Sequence, residues 1–349
     1  MVKPIALVGG WGYDNLGDEA ILAGYLETLD DLGVDYRVLS RFPKQTMTAQ
    51  RSLSSCETEY LAFRNPKAAS SALIFGGGGY LNGHWFPEAY LKLFGAARIR
   101  GGEGVIATHA VEIRQLNSRI GRKLIADLTK NAHATHFSVR DEESRRELTQ
   151  CLGSAAAVNL VPDAISLLYP YLDKYDSHPN VARGRTVLNL MDISRRADSM
   201  EADFAVADWD SFAQSLVAEF GDSALGLVMG SGDLHYMRRF RNLDLVRPKS
   251  VQELVSVLRS ADQLVSVRMH PSLVASAVGT PSVAIPYCGK VRPTLASLGL
   301  EHLVLDALSL PAVHHRLEAA TRVCVKDSWE NAVSISRGWL ESVISGVQS

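Results

Sequence analysis

Short apolar runs alternate with helix-length segments along nearly the whole chain, at residues 5–8, 36–39, 72–75, 104–108 and 136–139, and again at 186–191, 224–229, 243–246, 263–267 and 282–285. Runs this short and this continuously apolar suit strands buried on both faces, and the helical stretches between them suit crossovers that return the chain to the same sheet edge. The pattern predicts an α/β protein with parallel sheets in both halves. It also says where to look for function, because open parallel sheets bind ligands beyond the carboxyl ends of their strands. A length of 349 residues exceeds what one core usually serves. The polar, turn-rich stretch before residue 186 divides the pattern into a first domain at 1–172, a linker at 173–185, a second domain at 186–327 and a terminal helix at 328–349. That helix either caps the second domain or crosses back to the first, and the ligand cleft is expected between the domains.

The 36 basic and 38 acidic residues leave a net charge of −2, so no general field draws the chain to nucleic acid or a membrane, and any anion site must be local. No stretch reaches the roughly 20 apolar residues of a spanning helix, and the first strand starts too early to leave room for a signal peptide. The expected location is cytoplasmic, either free or peripheral at the inner membrane face. Cysteines 56, 151, 288 and 324 have neither metal-ligand nor disulfide-framework spacing. No His/Asp/Glu cluster has ligand spacing either, so no metal is expected.

The run from Ser266 to Lys290 carries the most chemistry. A strand ending before Arg268 gives way to a helix whose first turn suits Pro271 and whose end suits Gly279 in a left-handed cap. Arg268, His270 and the amides of the helix start would converge on a phosphate or carboxylate, and Lys290 follows the next strand. In the first half, Gly9 to Gly17 forms a glycine turn that misses dinucleotide-binding spacing, and its acidic Asp14, Asp18 and Glu19 would repel a pyrophosphate. Asp18 reads as the cap of the following helix or, with Asn15, as a partner of sugar hydroxyls. Gly76 to Gly79 follow another strand, where Gly77 and Gly78 allow close approach of a ligand or of a neighbouring loop. His84 and His109 stand after glycine-rich or strand-end segments.

Together these blocks resemble the polysaccharide pyruvyl transferase family. The resemblance runs through Asn15 to Leu22, Ile74 to Gly79, Phe137 to Ser144, Pro162 to Ala164 and the Ser266 to Lys290 run. It implies two Rossmann-like domains arranged like the GT-B glycosyltransferases, with the acceptor on the first and phosphoenolpyruvate on the second. It further implies transfer of the pyruvyl group of phosphoenolpyruvate onto two hydroxyls of a lipid- or nucleotide-linked sugar, giving a cyclic ketal and phosphate, with phosphoenolpyruvate as co-substrate and no cofactor. The family's donor-binding set maps onto Arg140, His270 and Lys290. Family members carry a glycine-proline pattern where this chain reads Gly104 to Glu112, a segment expected to be a loop shaping the acceptor pocket.

The chemistry stands beside the resemblance. Arginine forks, a lysine and helix amides suit a small phosphorylated carboxylate. A histidine can take the proton of the attacking hydroxyl and deliver one to the methylene carbon, which makes His270 the catalytic candidate. The donor set is then Arg140, Arg268, His270 and Lys290, and the acceptor set Asn15, Asp18, Gly77, Gly78, His84, His109 and Asp163, with Asp163 orienting either a basic residue or the acceptor. Arg140 and Lys290 are expected at strand ends outside the core. The residues leave open a ligand or capping role for His270, a surface position for Lys290, an acid partner for Arg268, and a salt bridge of Arg140 with Asp141, Glu142 or Glu143. They also leave open a nucleotide-sugar glycosyltransferase of the same fold, a non-catalytic sugar- or anion-binding protein, and assembly as a homo-oligomer.

Overall fold

The computed structural model describes residues 4–59, 70–83, 89, 92, 104–116, 118–130, 132–153, 156–176, 181–194 and 204–348. The chain forms two compact units. Met1–Tyr13, Asp18–Pro170 and Asn331–Ser349 make the first, and Asp14–Gly17 and Tyr171–Glu330 the second. The last helix, Lys326–Gln348, starts in the second unit and has its longer part in the first.

The first unit carries β1 (Ile5–Val8), β2 (Tyr36–Ser40), β3 (Glu57–Thr58), β4 (Ala72–Phe75), β5 (Gly78–Asn82), β6 (Val105–Arg114), β7 (Thr135–Val139) and β8 (Val158–Leu160). They form one parallel sheet in the order β3-β2-β1-β4-β6-β7-β8, with β5 paired to the far half of β6. Strand order reverses between β1 and β4, where Val8 lies opposite Phe75. Every residue of β1, β4 and β6 is buried. Burial on both faces is what the continuous apolar runs require, and each fully covered Val, Leu or Ile contributes about 1.5–3 kcal/mol.

The second unit repeats the plan with β9 (Thr186–Asn189), β10 (Ala224–Leu227), β11 (Asp244–Val246), β12 (Gln263–Ser266) and β13 (Ser282–Ala284), parallel throughout in the order β11-β10-β9-β12-β13. Its order reverses between β9 and β12, where Asn189 lies opposite Ser266. The class is therefore α/β with two Rossmann-like units. Gly279 takes the left-handed conformation expected of it, at φ 83°. No helix among the described residues is long and apolar enough to cross a membrane.

Two expectations are corrected. The strand expected at 104–108 is present, but His109 to Glu112, expected as loop, continue the same buried strand β6, which runs on to Arg114. The strand is broken in register between Thr108 and Val111, with Ala110 at φ 52°. Side chains seal the irregularity: Ser138 Oγ accepts from Ala110 N at 3.2 Å and donates to Thr108 O at 3.0 Å. The glycine run after β4 is likewise part strand, since Gly78 opens β5.

Candidate active site

In the second unit the reversal of strand order is built around Asn189. Its Nδ2 donates to Leu227 O at 2.8 Å and to Asp233 Oδ2 at 3.1 Å, and its Oδ1 accepts from Arg268 N at 3.1 Å and Ser266 Oγ at 3.2 Å. Asp233, wholly buried, takes Nε and Nη2 of Arg268 at 2.9 and 2.7 Å and also Met229 N at 3.0 Å. Arg268 thus has the acid partner that its sequence context left open. A bidentate pair fixes a guanidinium plane far better than a single contact, so Arg268 stands at the head of the helix Met269–Ala277 in one orientation.

His270, half-buried, is the second residue of that helix. A Cβ at Gly17 would lie 2.3 Å from His270 Nδ1, so only glycine lets the turn Asp14–Gly17 rest against the imidazole. The turn is fastened in the second unit by Asp14, whose carboxylate accepts from Ser231 N at 2.8 Å and from Arg247 Nη2 at 3.0 Å. Asn15 Oδ1 accepts from Gly17 N at 3.2 Å. Asn15, expected on the acceptor side, therefore belongs with His270 in the second unit. Lys290, half-buried, follows β13 and immediately precedes the helix Val291–Ser297. Arg268, His270 and Lys290 all lie beyond the carboxyl ends of β12 and β13.

Arg140 directly follows β7 in the first unit, at a strand end as expected, but it is buried in the core rather than outside it. Its Nη1 donates to Asp163 at 2.7 Å, its Nη2 to Glu112, and all three residues are buried. Burial alone would pull the guanidinium pKa down, but Glu112, Asp163 and Asp141 outweigh it and push it up. Of the neighbours proposed from sequence, Asp141 acts on it only through its charge, and the salt bridges go to Glu112 and Asp163. Asp141 instead caps the helix Glu142–Leu152 by accepting from Ser144 N at 2.8 Å, and pairs with Arg114 at 3.0 Å. Asp163 does orient a basic residue, and also caps its own turn through Ile165 N at 3.1 Å.

His109 is sealed rather than turned to a substrate. Its Nδ1 shares a hydrogen bond with Tyr25 at 2.8 Å, its Nε2 one with Ser336 at 2.9 Å, and its ring stacks on Trp339 at 4.9 Å. Burial lowers its pKa to about 3, so the imidazole is neutral at physiological pH. Tyr25 OH also accepts from Gly77 N at 3.2 Å. Asp18 lies in the first turn of the helix Leu16–Asp31 and is not its cap. Cβ atoms at Gly10 and Gly78 would come within 2.8 and 3.0 Å of its carboxylate, so the two glycine turns close around Asp18. His84 lies outside the described residues.

Sequence reasoning missed Asn189, Asp233 and Gly17 in the second unit, and a buried ion pair in the first. Lys92 Nζ donates to Glu59 at 2.6 Å and to Gly9 O at 3.2 Å, below the rings of Tyr13 and Tyr80 at 5.1 and 5.6 Å. Burial, with Tyr25, Asp18 and Glu59 nearby, raises the Tyr80 phenol well above its ordinary range. Among the described residues, no group of three or more His, Cys, Asp or Glu is placed to hold a metal ion.

Comparison with known proteins sets the chain in a family. The family model described as polysaccharide pyruvyl transferase matches residues 15–289, well over half of the chain. The chain belongs to that family. Among curated protein sequences none matches it. Similar solved structures include the UDP-GlcNAc 2-epimerase of Methanocaldococcus jannaschii in complex with UDP-GlcNAc and UDP, at TM-score 0.61 and 10% identity, covering 99% of both chains. The UDP-N-acetylglucosamine 2-epimerase of Rickettsia bellii gives 0.57 at 12% identity, covering 100% of this chain and 97% of its own. The Neisseria meningitidis enzyme bound to UDP-GlcNAc gives 0.54 at 9%, with 98% and 99% covered. At such identities the likeness establishes a shared GT-B-like fold and nothing of the chemistry.

Proposed function

We propose that this chain moves the pyruvyl group of phosphoenolpyruvate onto two hydroxyls of a sugar. The observation that carries the reading is the carboxyl edge of the second unit, where Arg268 is locked by Asp233 and Asn189, His270 lies in the first turn of a helix, and Lys290 follows the next strand. A small anion with a carboxylate and a phosphate needs this combination of a fixed fork, a compact cation and helix amides.

The reaction then runs as addition followed by displacement. One sugar hydroxyl attacks the enol carbon, its proton passes to His270, and the imidazolium delivers a proton to the methylene carbon, which becomes methyl. The second hydroxyl forms the second C–O bond at the same carbon while the C–O bond to phosphate breaks; phosphate leaves with its electron pair and takes the proton of the second hydroxyl, departing as hydrogen phosphate. Arg268 and Lys290 hold the negative charge that grows on the leaving phosphate. Gly17 and the turn beside it keep the imidazole in one place. Arg140 enters as a positioning residue: with both Nη atoms given to carboxylates it adds no net positive field, and instead ties Glu112 of β6 to Asp163 in the segment after β8.

The test is calorimetry with phosphoenolpyruvate in the presence of a chelator, alongside a nucleotide sugar. Phosphoenolpyruvate is expected to bind under both conditions. Binding of the nucleotide sugar alone would overturn the donor assignment.

A further inference from the structure

The aromatic pair Tyr13 and Phe42 stands beyond the carboxyl ends of neighbouring strands in the first unit. Tyr13 follows β1 and Phe42 follows β2, strands paired with Val8 opposite Leu39. The rings meet edge to face at 6.2 Å, and the Arg41 guanidinium lies 5.4 Å over Phe42. Phe42 is 47% exposed and Tyr13 half-buried. A single exposed apolar side chain is ordinary and needs no explanation. What lies beneath this pair is not ordinary.

The turn that carries Tyr13 is locked to the turn that carries Phe42. Gly12 takes φ 83°, and a Cβ there would lie 2.3 Å from Ser40 Oγ and 2.8 Å from Phe42 N. Buried Glu19 accepts from Gly12 N at 2.7 Å, from Thr46 Oγ1 at 3.3 Å and from Gln50 Nε2 at 2.8 Å. Ser40 Oγ accepts from Phe42 N at 3.1 Å, and Trp11 Nε1 donates to Leu39 O at 2.7 Å. From below, the buried Lys92 ammonium, fixed by Glu59 and Gly9, faces the Tyr13 ring. Burying a carboxylate and an ion pair is costly, and doing so to hold two surface rings in one geometry marks a site built in advance of its ligand.

We infer that Tyr13 and Phe42 form the ring-binding subsite for the acceptor sugar, with Arg41 donating to its hydroxyls. A pyranose offers an apolar C–H face that packs on an aromatic ring and an equatorial rim of hydroxyls that a guanidinium forks across. The inference rests on the acceptor being a sugar, as in the transfer proposed above, and names the surface that takes it. Lys92 and Glu19 act here as positioning residues.

Saturation-transfer NMR on the whole chain with methyl glycosides of glucose, galactose, mannose and N-acetylmannosamine tests it. At least one glycoside is expected to receive saturation at its ring protons. Phe42→Ala and Tyr13→Ala should weaken that signal tenfold or more, while Phe42→Trp and Tyr13→Phe retain it. Because Tyr13 is half-buried, a circular-dichroism melt of each variant accompanies the measurement, and the exposed Phe42 series stands alone if Tyr13→Ala unfolds. Absence of saturation with every glycoside, or unchanged binding in Phe42→Ala, would sink the subsite. Phosphoenolpyruvate calorimetry on Phe42→Ala separates the two readings. Sugars that need Phe42 in a protein that ignores phosphoenolpyruvate would refute the donor and keep the subsite, and the reverse result would do the opposite.

Discussion

The two units of this protein handle their cations in opposite ways. In the first unit the buried cations are enclosed with acids: Arg140 is shared by Glu112 and Asp163, and Lys92 is paired with Glu59. In the second unit Arg268 is paired with buried Asp233 and is itself partly exposed, and it, His270 and Lys290 stand at helix starts. A buried cation between carboxylates orders backbone, whereas a partly exposed cation held on one side can meet an anion on the other. The basic residues of one sequence pattern therefore divide into those that hold the protein and those proposed to hold its substrate.

The sharpest way to break that division is Arg140→Met. Removing the guanidinium leaves Glu112 and Asp163 buried without their cation, and losing one member of a buried ion pair costs about 3–5 kcal/mol. Urea unfolding should report a loss of that order, and a variant of native stability with weakened phosphoenolpyruvate binding would move Arg140 to the donor side. His270→Gln sharpens the other half. Glutamine keeps a hydrogen bond but shuttles no proton, so turnover should fall on the order of 10²–10⁴-fold with donor affinity nearly kept. Near wild-type turnover would leave His270 a ligand only. Lys290→Ala is next, with donor binding weaker by roughly 1.5–3 kcal/mol and an unchanged melting profile. Equal affinity by calorimetry would place the phosphate elsewhere.

The last prediction is in pH, with no effect near neutrality. His109 has a folded pKa of about 3 against an ordinary 6.5. Between those values the unfolded chain binds the extra proton, so stability is fully present above about pH 6.5 and declines as pH falls toward 3, by at most about 1.4 kcal/mol per pH unit. Comparing denaturation midpoints of wild type and His109→Gln over pH 4–7 checks this, since the variant should lose that part of the slope.

Much of the fold was legible because buried parallel strands announce themselves as continuous apolar runs, as at 72–75 and 263–266. Strand β5 escaped because two of its residues are glycines, which offer no side-chain pattern, and the far half of β6 because His109 and Glu112 look like loop residues until their partners are known. The placement of Arg268, His270 and Lys290 at strand ends was legible for a local reason: each stands within a few residues of a strand and a helix start. The pairing of Arg140 was not, since Glu112 and Asp163 lie 28 and 23 residues away in the chain. Separations of 35 and 33 residues likewise hid Asp233 from Arg268 and Glu59 from Lys92.

The seal on His109 also has a consequence for synthesis. One of its hydrogen bonds comes from Ser336 and its stacking partner is Trp339, while the strand that carries it is made more than two hundred residues earlier. On the ribosome, β6 emerges with an imidazole that must wait for the final helix before its packing is complete. The second unit, drawn mostly from the uninterrupted stretch Tyr171–Glu330, has its residues in hand first. The amino-terminal unit is thus the last to close, against the usual order in which early domains fold early.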